Sequence, residues 1–106
     1  MRTVKKVDIR AKNISLTNHL QKHIHQRLGF VRLTEEDQVR HVLVSLSERK
    51  DQYGRPGMCC QIKVLLARRT DMVIEDVEAD IYTAVDRAVD RLGRRLRRIL
   101  VTHRTA

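Results

Sequence analysis

Arg87, Arg91, Arg94, Arg95, Arg97 and Arg98 place six guanidinium groups within twelve residues near the C-terminus. Arginine stays charged at any physiological pH, and its planar fork matches the oxygens of phosphate. Between Arg91 and Arg98 no carboxylate balances the five arginines present. The chemistry implied is anion recognition. The run is threaded through an apolar repeat: Ile81, Val85, Ala88, Leu92, Leu96 and Ile99 recur at three- and four-residue steps, which makes one stripe on a helix. Arg87, Arg91, Arg94 and Arg98 form a second stripe, displaced from the first. Asp90 stands four residues before Arg94, an expected ion pair worth only about 0.3–0.5 kcal/mol. A lone basic run is ordinarily a solvated helix face, but this one carries a single sign.

Other reactive residue types give weaker patterns. His19 and His23 are four apart on a predicted helix and could share a metal, with His25 on another face. No Glu stands between them in an H-E-x-x-H arrangement and no third ligand is evident. We expect an exposed or phosphate-facing surface there, and no metal or cofactor. Cys59 and Cys60 are adjacent, so on a strand they point to opposite faces and are poorly placed to bond each other. One buried and one less buried thiol is expected. Tyr82 could stack on a base, although packing against the sheet edge is the simpler expectation. Glu75, Asp76 and Glu78 are close together, but such a cluster in a small strand is not by itself a catalytic dyad. With no Gly-rich phosphate loop and no Ser-His-Asp spacing, no enzyme is expected.

The bulk numbers point the same way. The chain of 106 residues suggests a single domain, 1–106, with one core. Apolar residues make up 42% and aromatics 3%, with no Trp, so the core must be mostly Val, Leu and Ile. The net charge is +9 and the pI about 10.4, which calls for a polyanionic partner. Few aromatics argue against a base-stacking platform and favour recognition led by phosphate and shape. Two unpaired cysteines suit a reducing cytoplasm. Neither a signal peptide nor a membrane span is legible.

Stepping along the chain, Val4–Arg10 has strand alternation, and Lys12-Asn13 suits a turn. Thr17 is placed to cap a helix from Asn18 to about Leu28, with Leu16, Leu20, Ile24 and Leu28 on one face and Gly29 near its end. Thr34–Asp37 is an acidic connection. Val39–Ser47 alternates with Val42, Val44 and Leu46 on one side and His41, Leu43 and Ser45 on the other. Glu48–Gly57 is dense in turn residues and is expected to be an exposed loop. Met58–Ala67 alternates again, with Cys60, Ile62, Val64 and Leu66 together. Arg68–Asp71 is a turn, Met72–Val77 a shorter strand, and Asp80 caps a long helix to about Leu100. The fold class is α+β in the order β-α-β-β-β-α: a four-stranded sheet with two helices packed on one face.

The run Asp80-Ile81-Tyr82-Thr83-Ala84-Val85-Asp86, followed by Asp90-Arg91-Leu92-Gly93-Arg94-Arg95-Leu96-Arg97-Arg98, resembles the second helix of the ribosome hibernation-promoting factors. These are also called ribosome-associated inhibitors or sigma-factor modulation proteins. Ile14-Ser15-Leu16-Thr17-Asn18-His19-Leu20 resembles that family's first helix, and Ile9-Arg10-Ala11-Lys12-Asn13 its preceding turn. Ala11 stands where Gly is usual, and His19 where Ala is common. Ile99-Leu100-Val101 replaces a lysine-rich stretch, Gln52–Gly57 is not a family signature, and a short form without the long C-terminal extension of some relatives is expected. The resemblance implies a cytoplasmic bacterial stress-response factor that binds the small ribosomal subunit and its rRNA in the channel used by mRNA and tRNA. There it holds idle ribosomes inactive. Carried over by position, the RNA-facing residues are Lys12, Arg27, Arg91, Arg94 and Arg98, with Arg87 and Arg95 extending the patch. The resemblance implies no cofactor, membrane or small-molecule substrate. The rival is a basic module that regulates an acidic protein partner, such as a transcription regulator.

Overall fold

The computed structural model describes residues 7–29, 31, 39–67 and 70–105, with side chains as far as Arg98. The elements are β1 (Val7–Lys12), α1 (Asn18–Leu28), β2 (Val39–Lys50), β3 (Pro56–Leu66), β4 (Met72–Glu78) and α2 (Ile81–Thr105). The strands form one sheet in the order β1-β2-β3-β4. β2, β3 and β4 make the antiparallel meander, and β1 lies parallel to β2. A parallel neighbour cannot be reached by a tight turn, so the chain between β1 and β2 carries α1 across the sheet.

Cross-strand register builds the core in rows. Val7, Val42, Val64 and Met72 lie abreast, as do Ile9, Val44, Ile62 and Ile74. Both helices cover this face: Leu20, Ile24 and Leu28 of α1, and Val85, Ala88, Leu92 and Leu96 of α2, join the same buried cluster as Val42, Val44, Ile62 and Val64. Each such Val, Leu or Ile withdrawn from water contributes about 1.5–3 kcal/mol. The α+β order and the one-sided helix layer are therefore as expected. Ala84 and Val89 are also buried, which makes the apolar face of α2 wider than the single stripe read from the sequence. Val39 is buried too, because a register shift between Val39 and His41 moves it to the core side of β2.

The helix starts follow local chemistry. Thr17 is extended (φ −75°, ψ 164°) and its hydroxyl accepts the Leu20 N–H at 3.1 Å. At the other helix, Asp80 Oδ2 accepts the Thr83 N–H at 2.9 Å, and the Asp80 carbonyl accepts the Ala84 N–H at 3.0 Å. α1 does end at Gly29, but in right-handed helical geometry (φ −64°, ψ −19°). The stop is therefore not a left-handed glycine cap.

Several boundaries differ from the sequence reading. β1 extends through Lys12, which pairs with Ser47, so the turn falls at Asn13, whose φ of 62° is one Asn tolerates. Val4–Lys6, Thr34–Asp37, Arg68 and Arg69 lie outside the described residues. Glu48–Gly57 is not one loop: β2 runs to Lys50 and β3 begins at Pro56, leaving Asp51–Arg55 as the connection. Turn-prone residues at its flanks are held in the ladder by pairs Arg49–Gly57 and Lys50–Pro56. α2 continues to Thr105 rather than stopping near Leu100. Both cysteines are buried, where one was expected to be less so. Cys60 lies in the core, and Cys59 lies on the opposite sheet face near Arg49, Glu75 and Ser47.

Two adjacent positions of α2 should respond in opposite directions. Leu92 is fully buried, so Leu92→Ala should cost on the order of 2–5 kcal/mol. A Cβ at Gly93 would meet only Val31 Cγ2 at 3.8 Å, an ordinary contact. Gly93→Ala should therefore stabilise the fold by about 1 kcal/mol through helix propensity. Paired thermal and urea melts check both.

Candidate nucleic-acid interface

α2 packs on β3 and β4, and β4 is an edge strand. The apolar contact of Val85, Ala88, Leu92 and Leu96 with the sheet leaves the neighbouring arginines directed away from the core. Arg87, Arg91, Arg94, Arg95, Arg97 and Arg98 are all exposed. Arg91 reaches the free edge of β4, where Nη1 donates to the Glu75 carbonyl at 2.9 Å. That bond satisfies an edge acceptor and fixes the guanidinium beside the strand.

Two grooves run between α2 and the β4 edge, and their charge differs. Toward the start of α2, Arg87, Arg91 and Arg94 share the groove with Asp76, Glu78 and Asp90. Arg87 Nε lies 3.6 Å from Glu78 Oε2 there. Toward the C-terminal half, a groove of about 240 Å³ is lined by Arg91, Arg94, Arg95 and Arg98 against Val73–Glu75 of β4. Its one carboxylate is already engaged: Glu75 Oε2 is 2.7 Å from Arg49 Nη1 and accepts from Gln61 Nε2 at 3.3 Å. Among the described residues, Arg94, Arg95 and Arg98 form no ion pair. Four guanidinium groups thus converge on a cleft whose counter-charge is committed elsewhere, a geometry that fits a phosphate backbone.

The other sequence-picked positions do not join this cleft. Arg27 sits at the α1–α2 seam, with Nε 3.1 Å from Asp86 Oδ1 and Nη2 3.8 Å from Asp90 Oδ1. The Nε approach is too poorly aligned to be a hydrogen bond. Arg27 is therefore a strut between helices before it is a ligand. Asp90 faces Arg27 instead of forming the expected pair with Arg94. Lys12 is exposed at the end of β1, the sheet edge opposite β4, in register with Ser47. It lies on the open face with Arg10 and Lys63, cations that the sequence did not single out. Their grouping depends on strand register, which alternation alone does not supply. Arg97, one of the six clustered arginines but not among the positions carried over as RNA-facing, lines a third cleft with Arg27, Val31 and Arg94.

His23 is not a free surface residue. Its Nε2 lies 2.7 Å from Asp86 Oδ1, and its ring meets Tyr82 edge-on at a centroid distance of 4.9 Å. His19 is exposed and its ring is 5.6 Å from that of Tyr82. Tyr82 therefore packs on α1 rather than on the sheet edge. On the open face His41 Nε2 lies 2.9 Å from Asp8 Oδ2, tying β2 to β1. Among the described residues no three metal-ligating side chains come together. Burial raises the Cys59 thiol above its usual range and pushes Cys60 up to about 12. Both are then protonated and weakly nucleophilic at neutral pH.

The architecture recurs in solved structures. A ribosomal subunit interface protein from Coxiella burnetii superposes with a TM-score of 0.73 at 11% identity, over 91% of this chain and 98% of that one. The N-terminal domain of Protein Y from Thermus thermophilus superposes with a TM-score of 0.69 at 24% identity, over 87% and 94%. No curated protein matches the sequence significantly. Identities this low speak for the fold alone. The family model described as "Sigma 54 modulation protein / S30EA ribosomal protein" matches residues 7–102, a span from the first described strand almost to the end of α2, and the chain therefore belongs to that family, the family of the ribosome hibernation-promoting factors.

Proposed function

We propose that this chain acts as a single ribosome-binding domain, which docks on the small ribosomal subunit through rRNA phosphates and blocks the mRNA and tRNA channel. The observation that carries this reading is the C-terminal groove of α2, where Arg91, Arg94, Arg95 and Arg98 line one cleft against β4 while the Glu75 carboxylate is paired with Arg49. Family membership supports a ribosomal partner, as does the likeness to a ribosomal subunit interface protein. The mechanism is occupancy. The sheet and the apolar helix faces form the scaffold, α2 presents arginines along the free β4 edge, and phosphates replace condensed counterions. Register on the RNA comes from shape, since α2 offers arginine forks and no base-reading amides. No covalent step or cofactor is required, and the bound ribosome is held idle in the cytoplasm. Arg87 extends the row. Lys12 and Arg27 flank it at a distance.

Changing Arg91, Arg94 and Arg98 together to Glu should abolish co-sedimentation with small subunits while leaving the melting curve near wild type, because all three are exposed. Wild-type pelleting by that variant would discard the α2 groove and turn attention to Lys12 and the open sheet face. If about five phosphates are neutralised, the log–log salt slope of binding should lie near −3.5 by the single-strand coefficient. A slope near zero would rule out phosphate contacts. Pelleting that resists nuclease and follows a protein would instead favour an acidic protein partner.

A further inference from the structure

The hairpin of β2 and β3 is longer than its sheet. β1 ends at Lys12, opposite Ser47, and β4 ends at Glu78, opposite Met58, yet β2 and β3 stay paired out to Lys50 and Pro56. Among the described residues no strand pairs with either edge of the hairpin arm beyond these points. Its tip is held by one side chain: Asp51 Oδ1 accepts the Tyr53 N–H at 2.8 Å and the Arg55 N–H at 2.9 Å. The Asp51 N–H donates to the Arg55 carbonyl at 2.8 Å, and the Gly54 N–H donates to the Asp51 carbonyl at 2.9 Å. Gly54 takes a φ of 82°, open to glycine at little cost. The carboxylate at the tip is thus turned inward onto amides.

This fixed turn displays Tyr53, which is 70% exposed. The guanidinium carbon of Arg55 stands 5.1 Å from the Tyr53 ring centroid, which backs one face of the ring and leaves the other open. The neighbours Gln52, Gly54 and Lys50 are polar or small and exposed. An aromatic anchor for a protein pocket normally sits within an apolar patch, and this ring does not. An aromatic face flanked by cations is instead the arrangement that takes an unpaired base, with its phosphates on either side.

We infer that the β2–β3 tip is a second RNA contact, in which Tyr53, backed by Arg55, stacks on one unpaired nucleobase while Lys50 and Arg55 neutralise the adjoining phosphates. The inference rests on the proposed function only in taking RNA as the polyanion. The contact is separate from α2: the arm projects beyond Glu78, whereas the arginine groove faces Val73–Glu75. One exposed ring is no stacking platform, so a single base is the expected occupant.

The chain has two tyrosines and no Trp, which makes the contact directly observable. Tyr82→Phe keeps the ring that packs on His19 and His23 and leaves Tyr53 as the only tyrosine emitter. At low salt, hexaadenylate should quench that emission, whereas an abasic hexamer of equal charge should not. Tyr53→Ala should lose about tenfold in affinity for hexaadenylate, within the range of one base–aromatic stack, and nothing for the abasic strand. Tyr53→Phe should bind as wild type. The inference is overturned if Tyr53→Ala binds hexaadenylate normally, if Tyr53→Phe loses as much as Tyr53→Ala, or if the abasic strand quenches equally. A Tyr53→Ala loss confined to intact subunits, with hexaadenylate binding unchanged, would mark a protein contact and also overturn it. Because the probe is an oligonucleotide, the outcome stands apart from the pelleting of the α2 variant.

Discussion

The rotation of α2 about its own axis is set by the seam it shares with the sheet, and the rest of the molecule depends on that seam. Val85, Ala88, Leu92 and Leu96 are buried in one cluster with Ile62, Val64 and Ile74. Rolling the helix by one residue would move it by about 100° and expose that stripe, at about 1.5–3 kcal/mol for each large side chain returned to water. With the apolar face pinned, positions 91, 94, 95 and 98 have nowhere to go except the β4 side of the helix. The hydrophobic contact therefore aims the charges. A basic helix without that contact would present the same residues in no particular direction.

Electrostatics then divides the cations into two groups. Arg27, Arg49 and Arg87 face carboxylates of the same chain. These pairs are partly exposed, so each adds little to stability. Their larger effect is to spend the available carboxylates. Glu75 is the important case: turned toward Arg49 on the open sheet face, it forms no ion pair with the arginines of the C-terminal groove. Like charges held together by a scaffold repel one another, and a polyanion relieves that repulsion on binding. At physiological ionic strength the field of such a cluster reaches about 8 Å, so it acts only at short range.

The same register that builds the core also decides what the opposite face and the free ends of the sheet carry. Asp8, Leu43 and Lys63 lie abreast on the open side, followed by Arg10, Ser45, Gln61 and Glu75. Among the described residues no helix covers this side. It is a mixed surface, held together by cross-strand contacts such as His41 with Asp8 and Gln61 with Glu75. Strand lengths add a second asymmetry, because the middle pair outruns its neighbours and carries Tyr53 out beyond them.

Much of the fold was legible in the chain. Period-two alternation marked β2, β3 and β4, period 3.6 marked both helices, and Thr17 and Asp80 announced their starts, because these signals are local and each residue reports its own neighbours. The exposed arginine stripe was legible for the same reason: once Leu92 and Leu96 face inward, Arg91, Arg94 and Arg98 cannot. Strand ends were less so, since turn-prone residues from Glu48 to Lys50 and from Pro56 to Gly57 stay in the ladder when a partner strand supplies hydrogen bonds. What the chain could not disclose were the partners brought from afar: Arg27 with Asp86, Arg49 with Glu75, and Tyr82 on α1. Those depend on strand register and on how two helices cross, so only the tertiary structure could separate the arginines paired with carboxylates from those that, among the described residues, form no ion pair.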